Sequence, residues 1–214
     1  MATIYNYLPQ ILKDIDHPVI MEIGAHYCED TERIFSLAKN NCSYYVFEPD
    51  PRNIDVIKRK PIYKKIILSE AAVGANDKTT KLYMSSGNAN PNAADWTGSS
   101  SINTPKEHLK HFKWCKFEES VLVKSVCLDT YCQDNAIKYI DFLWVDAQGA
   151  EADIFRGAQK TLSKVKYLYS EFYNVEMYEG QITLKEWFKL LPGRWMIISQ
   201  FSNDVLLHNL SYTK

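Results

Sequence analysis

No stretch of this chain approaches the roughly 20 consecutive apolar residues that a bilayer-crossing helix needs. Its first residues, MATIYNYLPQILKDID, lack the basic start and apolar core of a secretory signal. Cysteine is sparse and disordered in its spacing: Cys28, Cys42, Cys115, Cys127 and Cys132 are odd in number, form no CxxC pair and have no histidine at zinc spacing. That pattern argues against a disulfide framework or a structural zinc site and predicts free thiols in a reducing, cytoplasmic compartment. An excess of charge of either sign is also missing. Against 25 Lys and Arg stand 26 Asp and Glu, a net charge of −1, so no broad attraction to nucleic acid or to an anionic membrane is expected. One local basic run, Lys58, Arg59, Lys60, Lys64 and Lys65, reads as a solvated helix end. Finally, no GxGxxG occurs among the eight glycines, and there is no internal repeat.

What is present fits one α/β domain spanning residues 1–214: the chain has 214 residues, 46% of them hydrophobic. An amphipathic helix is predicted over residues 4–15, within an N-terminal helical segment 1–17, with Pro9 shortening or kinking it. Strands follow at 19–23, 44–47 and 66–68, separated by helices at 31–40 and 53–59. Residues 84–102, rich in Ser, Asn, Gly and Pro, read as a long loop, and 106–117 as a helix or turn; together 84–118 form an insertion on the substrate side. A strand at 121–123 and a helix starting at 127–130 come next. Strands at 139–145 and 166–172 flank a helix at 150–165, and after a helix at 184–191 two final strands, 195–200 and 205–207, form an antiparallel hairpin. Alternation of this kind specifies a mostly parallel sheet covered by helices on both faces.

Ligands of such sheets sit beyond the carboxyl ends of the strands, near the point where strand order reverses. The residues found there are Gly24-Ala25-His26-Tyr27, Glu48, Glu70-Ala71-Ala72, Asp146 and Glu171. Gly24 lets backbone approach a ligand closely. Glu48, at about the spacing of a dinucleotide fingerprint, can accept the two hydroxyl protons of an adenosine ribose. Without the pyrophosphate glycines the pattern favours an adenosine ligand that has no pyrophosphate. On spacing alone it fits equally a tight turn beside a solvated acid.

Four stretches give the chain a more specific character: VIMEIGAHYCEDT; YYVFEPDPRN; AAVGANDKTTKLY followed by GSSSI; and LDTYCQDNAIKYIDFLWVDAQGAEADIFRGAQKTL. With the terminal SQFSNDVLLHN they resemble the FkbM family of S-adenosylmethionine (SAM)-dependent methyltransferases over most of the chain from Val19 onward. The resemblance implies a Rossmann-like class I methyltransferase fold: a seven-stranded, mostly parallel sheet with an antiparallel last strand. It implies SAM as cofactor, with its amino-acid end near Glu22, Gly24, Ala25 and His26, its ribose on Glu48 and its adenine near Asp50, Ala71 and Ala72. The implied reaction is O-methylation of a hydroxyl on a sugar, glycan or other small molecule. Two departures stand out: His26 and Cys28 replace the family's usual Asn and Gly, and Trp144 stands where the family usually has Lys.

An alcohol attacking the SAM methyl needs in-line geometry and either a base for its proton or a metal that lowers its pKa. Asp146 is the expected catalytic residue. Together with Glu171 at the neighbouring strand end it could hold Mg²⁺ or Mn²⁺. His111, and beside it His108, are the alternative bases, since histidine titrates near neutrality. Glu151 is expected in the first turn of a helix, where an acid is stabilised by the dipole. Ser99, Ser100 and Ser101 could donate to substrate, and Tyr27, Trp96 and Trp144 could offer aromatic surface. Two other functions remain open at this point, an NAD-dependent oxidoreductase and a SAM-binding module without catalysis.

Overall fold

A computed structural model describes residues 3–213. Its centre is a run of strands buried on both faces. Val19–Ile23 (β1) and Ile140–Val145 (β7) are almost wholly inaccessible, as near-continuous apolar runs in a helix-covered parallel sheet should be. The remaining strands of this sheet are Ser43–Phe47 (β2), Ile67–Ser69 (β3), Val165–Glu171 (β8), Trp195–Gln200 (β9) and Asp204–Asn209 (β10). Their order is β3-β2-β1-β7-β8-β10-β9. All pairs from β3 to β8 are parallel, and β10 runs antiparallel to both β8 and β9. Strand order therefore reverses between β1 and β7, which fixes where a ligand can sit.

Successive strand residues face opposite ways, and the sheet sorts them into two cores. Met21, Ile23, Leu143 and Val145 pack on one face beneath helices Glu151–Arg156 (α6) and Leu184–Leu190 (α8). Ile20, Phe142 and Trp144 pack on the other beneath Ile4–Leu12 (α1) and Glu29–Leu37 (α2). Each fully buried Leu, Ile or Phe contributes about 1.5–3 kcal/mol. Trp144 thus belongs to the α1 face, against Tyr5, Phe142 and Tyr169, and points away from the strand ends.

Several elements depart from the sequence reading. Helix α1 stops at Leu12, three residues short: Pro9 lies inside it, lacks the N–H that would bond one turn back, and the helix ends within the next turn. The helix expected over 150–165 is broken into α6 and Gln159–Leu162 (α7). Gly157, at the break, lies so close to the neighbouring chain that a Cβ would stand 2.3 Å from the Gly74 carbonyl oxygen. A second sheet was not foreseen. It contains Ala72–Gly74 (β4), Lys78–Ser86 (β5) and Lys116–Cys127 (β6), in the order β4-β6-β5. Residues 84–86, expected in a loop, continue β5, and within 106–117 only His108–His111 (α4) is helical before β6 begins. This small sheet carries residues 87–101 back over the strand ends, anchored where Ser101 bridges Tyr83. The other α-helices are Pro51–Ile57 (α3) and Leu128–Asp134 (α5), with a 3-10 turn at Pro61–Lys65.

Two residues of the basic run are paired locally, Lys58 with Glu70 at 2.6 Å and Lys60 with Glu32 at 3.6 Å. All five cysteines are free thiols. Among the described residues no helix is long and apolar enough to cross a membrane.

Candidate active site

Beyond β1 and β2 the chain builds an open cleft of about 590 Å³. Gly24 ends β1 with φ +84°, and a Cβ on it would stand 1.8 Å from the main-chain oxygen of Asp146. Only glycine allows the ends of β1 and β7 to meet this closely. Gly24 N–H donates to the Phe47 carbonyl, and His26, itself left-handed at φ 49°, donates its N–H to Glu48 Oε2 at 2.8 Å. Glu48 Oε1 accepts from the Asp50 N–H and from Asn53 Nδ2. The carboxyl is thereby fixed at the cleft wall with acceptor capacity left over, and burial pushes its pKa up to about 8.

Of the residues expected to hold a cofactor, Gly24, His26, Glu48, Ala71 and Ala72 line this cleft. Glu22, Ala25 and Asp50 do not line it and act as its support. Glu22 lies on the α1 face of the sheet, where Oε2 accepts from Thr31 Oγ1 and Tyr44 OH, both at 2.7 Å. Asp50 caps α3 through the Arg52 N–H, pairs with the Arg52 guanidinium at 2.6 Å and accepts from Ser100 Oγ at 2.8 Å. Ala25 is buried in the second core. Asn53 and Thr97 were not anticipated. Thr97 Oγ1 lies 2.6 Å from Asn53 Oδ1 and 3.0 Å from His26 Nε2, and the His26 ring stacks on Tyr27 at 3.8 Å. These contacts hold residues 96–101 over the cleft.

A second cavity, open to solvent and about 990 Å³ with that open space counted, adjoins the first, and Gly98, Asp146 and Gln148 line both. Its walls are aromatic, with Trp96, Phe112, Trp114, Tyr173 and Tyr178, and acidic, with Asp146 and Glu171. Gln148, left-handed at φ 51°, ties the two acids together: Nε2 donates to Asp146 Oδ1 at 2.6 Å and to Glu171 Oε2 at 3.2 Å. Its Oε1 lies 3.1 Å from Tyr178 OH. Burial raises the pKa of both carboxyls, and their proximity raises Glu171 further.

The metal reading of Asp146 and Glu171 does not fit this arrangement. An amide NH₂, a proton donor, stands between the two acids where a cation would need converging oxygens. Among the described residues no group of three or more His, Cys, Asp or Glu converges. Glu151 is buried and accepts from the Ala147 and Gly149 N–H groups, so it shapes the loop carrying Gln148. His111 is exposed and lines neither cavity. His108 is the histidine in the wall of the aromatic cavity. It is buried among Phe112, Phe117 and Tyr178, with Nε2 3.3 Å from Ser99 Oγ and a pKa lowered by burial to about 4.

Residues 22–200 match the methyltransferase FkbM domain. The chain belongs to the FkbM methyltransferase family. It is also 31% identical over 217 residues to the 2-O-methyltransferase NoeI of Sinorhizobium fredii, covering 96% of this chain and 85% of that protein. Its fold is shared with the crystal structure of an FkbM methyltransferase from Methylobacillus flagellatus, with a TM-score of 0.56 at 13% identity over 90% of this chain. The chain spans 44% of that protein's length.

Membership makes this FkbM-family protein a SAM-dependent methyltransferase, and the oxidoreductase alternative falls with it. Of the family departures, His26 is absorbed into the cover over the cleft. Cys28 takes a left-handed conformation (φ 63°), one that a glycine adopts without cost, just before α2. Trp144 faces the core, so a lysine at that position on this backbone would start from the far side of the sheet.

Proposed function

We propose that this methyltransferase O-methylates a hydroxyl of a sugar or glycan, with Asp146 as the base. The observation that carries the reading is the position of Asp146 on the wall shared by the cofactor cleft and the aromatic cavity. The cleft suits SAM: Gly24 puts bare main chain at its wall, and Glu48 presents acceptors for ribose hydroxyls beside the small side chains of Ala71 and Ala72. When bound, SAM supplies a sulfonium methyl that passes to an oxygen nucleophile, forming O–CH₃ as S–CH₃ breaks and leaving a neutral thioether.

The chain's own part is to hold the acceptor hydroxyl at the junction and take its proton. Asp146 Oδ1 is engaged by Gln148, which leaves Oδ2 for that proton. A carboxyl whose pKa is raised toward neutrality is a better match to this task than an ordinary aspartate. The aromatic walls suit the apolar faces of a sugar ring, and the 2-O designation of the Sinorhizobium relative supports a hydroxyl acceptor.

The test is transfer of labelled methyl from SAM to a panel of neutral glycosides, with Asp146→Asn as the variant. The expected outcome is label in a base-stable ether, with kcat lowered about 10²–10⁴-fold in the variant and its SAM affinity kept. Loss of SAM affinity with unchanged turnover of bound cofactor would remove Asp146 from the role of base. Absence of transfer by the wild type with SAM bound would favour the non-catalytic binding module.

A further inference from the structure

The aromatic cavity holds two carboxyls, and no lysine or arginine lines it. Among the lysines of residues 106–113, two are paired and one is exposed. Lys106 pairs with Glu176, Lys110 pairs with Glu107 at 2.7 Å, and Lys113, between two wall residues, is exposed. The one histidine in the wall, His108, is kept neutral by burial. Asp146 Oδ1 and Glu171 Oε2 both hydrogen-bond to one nitrogen, Gln148 Nε2, so they stand no farther apart than hydroxyl groups on one sugar ring can reach. The amide is fixed from its other end by Tyr178, and Glu171 Oε1 accepts from Tyr173 OH at 3.0 Å. Each acid is therefore held in a set position, and each retains acceptor capacity toward the cavity.

We infer that Glu171 takes the hydroxyl next to the one that is methylated, and that with Asp146 it selects a sugar ring bearing two adjacent hydroxyls and no anionic substituent. The inference rests on the sugar O-methylation reading above. Two hydroxyl donors are what a fixed pair of carboxyls can accept from one ring edge. A uronate or phosphate brought to the same place meets the Asp146 carboxylate with no counter-ion in the wall. Glu171 is on this account a specificity-determining residue, distinct from the base, and it sets which hydroxyl of the ring meets Asp146.

The experiment compares matched acceptors: a neutral methyl glycoside, its two analogues deoxygenated on either side of the methylated position (read by NMR of the product), and the corresponding uronate. For the wild type, kcat/KM should fall on the order of ten- to a hundredfold for one deoxy analogue, the cost of leaving a buried carboxyl oxygen without its hydrogen bond, and further for the uronate. In Glu171→Ala the parent and that analogue should become equivalent while SAM affinity is unchanged, and Glu171→Gln should lie between. The inference is overturned if both deoxy analogues match the parent, or if the uronate is methylated as well as the neutral glycoside. If the wild type binds SAM yet methylates no glycoside, the sugar reading itself is overturned and this inference goes with it.

Discussion

At Gly24 the main chain passes so close to Asp146 that no side chain fits, and its φ of +84° is one that L-residues rarely adopt. Gly24→Ala must separate the ends of β1 and β7, and the obstructing atom is backbone, which cannot rotate away. We expect a loss of about 3 kcal/mol or more, read as a fall in melting temperature on the order of 10 °C, together with loss of SAM binding by titration calorimetry. Wild-type stability in this variant would show that the strand ends are not locked at this point. Gly24, Glu48 and Asp146 were all legible in the sequence, because a residue that ends an apolar strand announces its own position. Gln148, Asn53 and Thr97 were not, since each acts through partners brought in by the fold: Thr97 meets Asn53 44 positions away, and Gln148 meets Glu171 23 positions away. The histidines show the same limit. His108 and His111 bracket a one-turn helix too short to carry a readable amphipathic pattern, so its sequence does not say which one faces inward.

The elements of the main sheet were readable for a physical reason: buried parallel strands must be apolar on both faces and are bounded by turn residues. The small sheet was not, because β5 and β6 are only partly buried and carry Lys, Thr, Glu and Ser without a sustained period of two. Their pairing, from Lys78 opposite Ser125 to Ser86 opposite Lys116, does what patterning does elsewhere. What this sheet positions is the cover of the cleft, and the cover is fastened to α3 by the Thr97–Asn53 hydrogen bond and by an ionic knot, Asp50 with Arg52 and Ser100. Asp50 is fully buried, whereas Arg52 is partly exposed and so partly screened. Asp50→Asn keeps a helix cap but leaves Arg52 without its carboxylate partner. A loss of about 2 kcal/mol is expected, with a several-fold rise in the Kd for SAM as residues 97–101 loosen. The variant's melting curve and a SAM titration check both. Weakened stability with unaltered SAM affinity would mean that the knot serves α3 alone.

Across the whole molecule, the strand ends gather buried carboxyls with little positive charge among them, and this makes stability depend on pH in an unusual direction. Glu22 and Glu48 are pushed up to about 8 and Glu151 to about 7, from an ordinary value of 4.5, with burial the largest cause in each. The folded protein therefore holds protons that the unfolded chain has released between pH 4.5 and about 8. Stability is fully present below the unfolded value and declines as pH rises through that window. Acid-side loss from surface pairs such as Lys110 with Glu107 opposes this only near pH 4 and below, because there the folded pKa is lowered. Glu22 isolates the effect, since it lies outside the cofactor cleft and its Oε2 only accepts hydrogen bonds, from Thr31 and Tyr44. A glutamine oxygen can accept the same two bonds without ever carrying charge. Glu22→Gln should therefore melt within a degree or two of the wild type at pH 5 and clearly above it at pH 8.5, measured without SAM so that ligand binding adds nothing to the native state. A wild-type melting temperature that climbs from pH 5 to 8.5, or a Glu22→Gln variant that is less stable at both values, would mean that Glu22 folds as a carboxylate and that its two hydrogen bonds outweigh the cost of burying its charge.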